Sequence, residues 1–182
     1  MRDDPGSALC EARGFAITQY AYYEEALACL FAELIGLTPA IAGIPFFKIN
    51  NARSRAAIME RLLKKKYGSK YSVFWNSLAK ELQKLDNQRN NVVHWTMMIT
   101  HFAEPVASLV PPNYWDEDKN TPSLLLADLV KFADKCNFFV STICAFTYTL
   151  QDRPFVHPTW PEIFLRPVTY PPQEGHPLGR KP

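Results

Sequence analysis

The sequence predicts an all-α fold, a helical bundle of about five helices followed by a proline-rich tail. Apolar residues recur at alternating spacings of four and three in two long segments, which marks one face of a helix. Gly36 and Gly68 fall just past such segments, where helices commonly stop. Eight of the chain's 15 prolines lie from Pro154 onward, so regular helix is confined to what precedes them. With 182 residues, the chain has room for one domain with a substantial core; 47% hydrophobic and 21% charged residues argue against disorder over most of it.

The first helix is expected over about 7–35, with the stripe Ala16, Tyr20, Tyr23, Leu27, Leu30 and Leu34 facing inward. Thr38-Pro39 begins a connector with room for a helical turn before Pro45. A second helix follows over about 50–67, burying Ala52, Ala56, Met59 and Leu63. A third covers about 72–85, burying Trp75, Leu78, Leu82 and Leu85. Asp86-Asn87 suits a turn and cap, so a fourth helix is expected to start close to Arg89. Trp95 to Phe102 fits either a continuation of that helix or an extended segment, since Trp95, Met97 and Ile99 also alternate. Pro105, Pro111-Pro112 and the polar 116–120 stretch predict a long surface loop. Thr121 as cap and Pro122 at the first helical position open the last helix. Its stripe, Leu125, Leu129, Phe132, Cys136, Phe139, Ile143, Phe146 and Leu150, is the most regular in the chain. The helical domain spans 1–152. In the tail, 153–182, Phe155, Trp160, Phe164 and Tyr170 predict partial packing on the body.

Cys10, Cys29, Cys136 and Cys144 form no C-x-x-C pair and read as buried, reduced thiols. No metal-ligand spacing is present, and none of the common nucleotide, dinucleotide, hydrolase or zinc-protease motifs occurs, so neither metal nor cofactor is expected. The start of the chain does not read as a secretory signal. The most apolar run, 138–150, falls short of the roughly 20 residues a bilayer requires. A cytoplasmic chain without a membrane partner is the expectation.

Charge is unevenly placed. From Lys48 to Arg89 there are eleven basic residues against Glu60, Glu81 and Asp86. Lys64-Lys65-Lys66-Tyr67 and Lys70-Tyr71 set cations beside aromatic rings at a helix end. Such a patch can neutralise phosphates and stack a base, or can simply be a solvated helix end suited to the dipole.

The segment Arg89-Asn90-Asn91-Val92-Val93-His94 carries the clearest chemistry. On a helix, Asn90 and His94 share a face, whereas Arg89 and His94 are about 140° apart. An arginine in a first helical turn can swing past the helix end, where exposed N–H groups favour an anion. The parts would then be a phosphate seat at Arg89, an orienting amide at Asn90 and an imidazole able to act as acid or base at His94. They suit metal-independent RNA cleavage, with an acid or base on the ribose hydroxyl or leaving oxygen and a cation on the phosphorane. In a chain of this composition, Arg-x4–6-His arises roughly 0.6 times by chance, and requiring Asn after the arginine lowers that to roughly 0.03.

On these residues the chain resembles the HEPN superfamily (higher eukaryote and prokaryote nucleotide-binding domains), an α-helical bundle marked by Arg-x4–6-His, often with Asn after the arginine. Arg89, Asn90 and His94 match those positions, and Trp95 stands where many members have a small residue. The resemblance implies a metal-free endoribonuclease or RNA-binding protein, in a toxin–antitoxin or defence setting, that dimerises so two motifs meet. Lys64, Lys65, Lys66 and Lys70 would then steer RNA. A symmetric homodimer would supply the second acid or base that one motif lacks. The stripe of the first or last helix would be its contact face, unless both are bundle core. Members of the superfamily that have lost catalysis imply the alternative, a silent helical interaction module, structural or antitoxin-linked, with a protein partner. Glu24 or Glu25 could hold Arg89 or His94 in place. His101, His157 and His176 read as non-catalytic.

Overall fold

The computed structural model describes residues 4–100, 105–112, 122–153, 160–173 and 176–178. Among these, six helices and one two-stranded ribbon follow in the order α1 (Pro5–Ile35), α2 (Pro39–Lys48), α3 (Ala52–Tyr67), α4 (Ser72–His94), β1 (Thr96–Thr100), β2 (Val106–Val110), α5 (Leu126–Leu150) and α6 (Trp160–Ile163). The all-α class holds, with the ribbon as a minor addition.

Helix α1 starts where Asp4 accepts hydrogen bonds from the N–H groups of Gly6 and Ser7, with Pro5 at the first helical position. It stops at Gly36, whose φ of 70° is the left-handed conformation of a helix cap. The expected connector is a full helix, α2, which continues through Pro45. A proline removes only its own N–H bond. The next residue, Phe46, is buried against Phe31 at a ring separation of 5.6 Å, which anchors the turn.

The stripes of α1 and α5 pack against each other, and both form the core: Tyr20, Tyr23, Leu27 and Leu30 meet an α5 face of Leu129, Cys136, Phe139, Ile143 and Phe146. Neither is free to serve as a dimer face. Met59 and Leu63 of α3 and Trp75, Leu78, Leu82 and Leu85 of α4 close the bundle.

The separate third and fourth helices of the sequence reading are one. Asp86 does not cap a new helix, because its carboxylate is engaged across the bundle by the Tyr20 hydroxyl. Buried Leu82 and Leu85 before it and Val92 after it keep one register. Beyond His94 the chain is extended. Strand β1 pairs antiparallel with β2, Thr96 opposite Val110 and Thr100 opposite Val106. The last helix begins four residues later than expected. Leu124 exchanges both backbone hydrogen bonds with Leu109 at 2.9 Å, which holds the chain extended until Leu125. The Asp128 carboxylate then receives the Leu125 N–H at 3.0 Å. Thr121, the expected cap, lies outside the described residues, as does Phe155. In the tail, Phe164 is buried against Phe74 and Phe146, and Tyr170 lies on Phe138. Among the described residues no single helix is long and apolar enough to cross a membrane.

Candidate functional site

The continuity of α4 changes the setting of the motif. Arg89 lies in the interior of a 23-residue helix, and His94 is its last residue. The backbone N–H groups around Arg89 are used within the helix, so no N-terminal anion seat exists there. The motif sits instead at the C-terminal end, where free carbonyls favour cations. Arg13 of α1 meets that need, donating from Nη2 to the Val93 carbonyl at 2.7 Å. Any phosphate held here must be held by side chains.

The motif residues divide between two environments. Arg89 falls on the inward stripe of α4, in register with Leu78, Leu82, Leu85 and Val92. It is half-buried, its guanidinium carbon 5.6 Å from the centre of the Tyr20 ring. Its Nη1 donates to Asn90 Oδ1 over a long 3.4 Å. Asn90 and His94 are both exposed, one turn apart on the outer face. Among the described residues no hydrogen bond fixes the His94 imidazole. Trp95, next to it, turns inward and packs against the core.

Between Arg89 and α1 lies a polar seam that the sequence reading missed. Tyr20 donates its hydroxyl to Asp86 Oδ1. Burial pushes the Asp86 carboxyl above its ordinary range, against the opposing pull of the Tyr20 hydrogen bond and of Arg55 and Arg89. Burial and the Asp86 carboxylate likewise push the Tyr20 hydroxyl up. Glu24 does not reach the motif. It pairs with Arg55 Nη1 at 2.9 Å, and Arg55 also covers the Phe46 ring. Glu25 is exposed. Asp86 Oδ2, Arg55 Nε and Trp75 Nε1 are buried without a hydrogen-bond partner among the described residues. All three residues line a cleft of about 230 Å³ between α1, α3 and α4. The unpaired second oxygen explains why burial dominates the Asp86 carboxyl. One sequence signal could have located the seam: on an unbroken helix, Asp86 precedes Arg89 by three and shares its side.

The lysines lie elsewhere. Lys64, Lys65 and Lys66 form the last turn of α3, and Lys70 precedes the start of α4. Helix α4 is about 34 Å long at 1.5 Å per residue, so the lysines and His94 flank its opposite ends. Lys66 donates to the Glu33 carbonyl at 2.8 Å, Lys64 pairs with Glu60 at 3.5 Å, and Lys70 lies over the Tyr71 ring. Nearer the motif, a hollow of about 310 Å³ between α4 and α5 is lined by Gln88, Asn91, Lys131, Lys135 and Tyr170.

His101 and His157 lie outside the described residues. His176 is half-buried with its ring against Phe138, and burial holds it below the usual histidine range. Cys136 is buried and its thiol is pushed up to about 12, whereas Cys10 is exposed beside Met97, contrary to the reading of four buried thiols. No group of three His, Cys, Asp or Glu among the described residues could hold a metal ion.

No family model, curated protein or solved structure matches the chain. The HEPN resemblance therefore rests on Arg89, Asn90, His94 and the helical bundle.

Proposed function

We propose that the chain is a HEPN-like RNA-cleaving or RNA-binding protein, and that the end of α4 is half of a metal-independent site completed by a second copy. One observation carries this reading: Asn90 and His94 are exposed one turn apart, with no bond fixing the imidazole among the described residues, while half-buried Arg89 reaches only Asn90, over 3.4 Å. A histidine committed to structure would be buried and satisfied by neighbours.

In the proposed reaction the ribose 2′-hydroxyl attacks the adjacent phosphorus. Its proton passes to one imidazole as the P–O2′ bond forms. The P–O5′ bond breaks, and the 5′-oxygen takes a proton from His94 of the second copy, leaving a 2′,3′-cyclic phosphate. Arg89 offsets the charge that builds on the phosphorane, and the Asn90 carboxamide orients the non-bridging oxygens. Two copies are needed because Arg89 and His94 diverge by about 140° on one helix. Exposed Lys131, in the hollow beside the motif, lies nearer to it than Lys64 to Lys70 and would steer RNA there, whereas Lys135 in the same hollow is paired with Glu81 at 3.0 Å.

The test is incubation of purified protein with mixed RNA in EDTA, wild type beside His94→Ala, with the cut ends mapped. Cleavage by the wild type alone, leaving cyclic phosphate ends, is the expected result. Activity that vanishes in EDTA and returns with magnesium would overturn the metal-free mechanism.

A second reading, a catalytically silent interaction module, is favoured by a different observation. Arg89 lies over Tyr20 beside Asp86, a place that also serves packing of α4 on α1. On this reading neither protein cleaves RNA, and Arg89→Ala lowers stability without altering any RNA affinity.

A further inference from the structure

Helix α2 is apolar almost throughout, yet only Ala42 and Phe46 of its residues are buried. Leu37 just before it (47% exposed), Ile41 (54%), Ile44 (69%) and Phe47 (53%) follow one another at spacings of four, three and three. They form a single ridge pointing into solvent. A helix this apolar is ordinarily enclosed, and a contiguous exposed patch of large aliphatic and aromatic side chains marks an interaction surface.

The surroundings of the ridge are cationic. From Leu37 to Tyr71 the sequence holds eight Lys and Arg against one acidic residue, Glu60; Arg55, Lys64 and Lys66 are paired with Glu24, Glu60 and Glu33, while Lys48, Arg53, Arg61, Lys65 and Lys70 are exposed. Contacts place several of these cations about α2. Lys48 is its last residue. Lys66 reaches the carbonyl of Glu33, four residues before Leu37, and exposed Lys65 shares its helical turn. The end of α3 that carries Lys64, Lys65 and Lys66 is thus remote from the His94 end of α4 and lies against the end of α1 from which the ridge starts.

We propose that the α2 ridge and the surrounding basic residues dock the protein on an anionic lipid bilayer, α2 lying in the plane of the interface. The side chains of Leu37, Ile41, Ile44 and Phe47 would enter the headgroup–acyl boundary, and Lys48, Lys65, Lys66 and Lys70 would meet the lipid phosphates. An RNA backbone matches the cations but gives the ridge nothing to bury against. This mode requires no spanning segment, and it departs from the expectation of a chain without a membrane partner. The inference does not depend on the RNA reading.

The test is flotation of the full chain with vesicles of phosphatidylcholine alone and of phosphatidylcholine mixed with phosphatidylserine. Binding to the mixed vesicles only, weakened by salt, is expected. It should fall at least tenfold in Ile41→Ser/Ile44→Ser and in Lys65→Glu/Lys70→Glu, whose far-UV circular dichroism should match the wild type because these side chains are exposed. His94→Ala should float like the wild type, which separates this result from any failure of the RNA reading. Three results would overturn the proposal: no flotation with either vesicle, flotation unaffected by the two Ile→Ser changes, or light scattering that finds a dimer which Ile41→Ser/Ile44→Ser converts to monomer. The last would give the ridge to a second copy of the chain.

Discussion

Arg89 and His94 sit five residues apart on one helix, and their surroundings have little in common. Arg89 belongs to a half-buried seam with Tyr20 and Asp86, where each polar group leans on a neighbour. His94 and Asn90 face solvent at the helix end. The difference arises from helical geometry, since a step of five residues turns a side chain about 140°. One short motif therefore has a side coupled to stability and a side that is not. Substitutions that separate the two sides test whether the motif is a site or a packing feature.

The largest expected effect is in the seam. Tyr20→Phe keeps the ring but removes the hydroxyl that Asp86 Oδ1 accepts from, and Asp86 Oδ2 already has no partner. A lost hydrogen bond to a charged group costs about 2 kcal/mol, which chemical denaturation at neutral pH should resolve. The same variant should also alter alkaline behaviour. Tyr20 holds its proton above the ordinary value of 10.0 in the folded state. The resulting stability is fully present below that pH and is lost as pH rises through the higher folded value. Tyr20→Phe should therefore lose stability less steeply above about pH 10, with Tyr23, also pushed up by burial, accounting for part of the remaining slope. Equal slopes for the two proteins would show that Tyr20 is more exposed than the seam implies.

Arg89→Ala comes next. It removes a cation stacked on Tyr20 and a positive neighbour of Asp86, for a loss of about 1 kcal/mol. A loss several times larger would make Arg89 mainly a packing residue and favour the silent module. The third effect depends on pH. The Asp86 carboxyl is raised above 3.8 by burial, so the stability it contributes is present at acid pH and is lost as pH rises through its folded value. Asp86→Asn keeps an acceptor for Tyr20 and removes the buried charge. Its stability relative to wild type should improve from about pH 4 to pH 7, the opposite of the trend for a carboxylate held by a salt bridge. A falling difference over that range would mean that the Arg55 and Arg89 charges outweigh burial.

The parts of the fold readable in the sequence were those set by neighbours three and four residues away. The stripes of α1 and α5 announce themselves by period, and nearly every member of them is buried. Where the reading erred or stayed open, a distant residue decides what local preference does not. Asp86-Asn87 carries local turn chemistry, but Tyr20, 66 residues earlier, draws Asp86 into the bundle and the helix runs on. Thr96–Thr100 becomes a strand only because Val106–Val110 pairs with it, and the Leu109–Leu124 bridge delays α5. For the candidate site, the shared face of Asn90 and His94 followed directly from their spacing. The expected anion seat did not survive, because it depended on a helix start that the Tyr20–Asp86 bond abolishes. The lysines, near the motif in sequence, are carried to the far end of α4 by the length of an unbroken helix.

The smallest expected effect on stability is the most telling for function. His94 is exposed and ends α4, so His94→Ala removes no buried surface and strands no polar partner among the described residues. Its effect on the unfolding free energy should lie within about 0.5 kcal/mol, the range of ordinary surface substitutions. If His94 is the acid or base proposed above, the same change should abolish metal-free RNA cleavage while leaving the denaturation curve in place. A protein that folds like the wild type and has lost its activity would assign His94 to chemistry. A marked loss of stability would instead tie His94 to the fold and would leave the end of α4 as a structural cap held by Arg13.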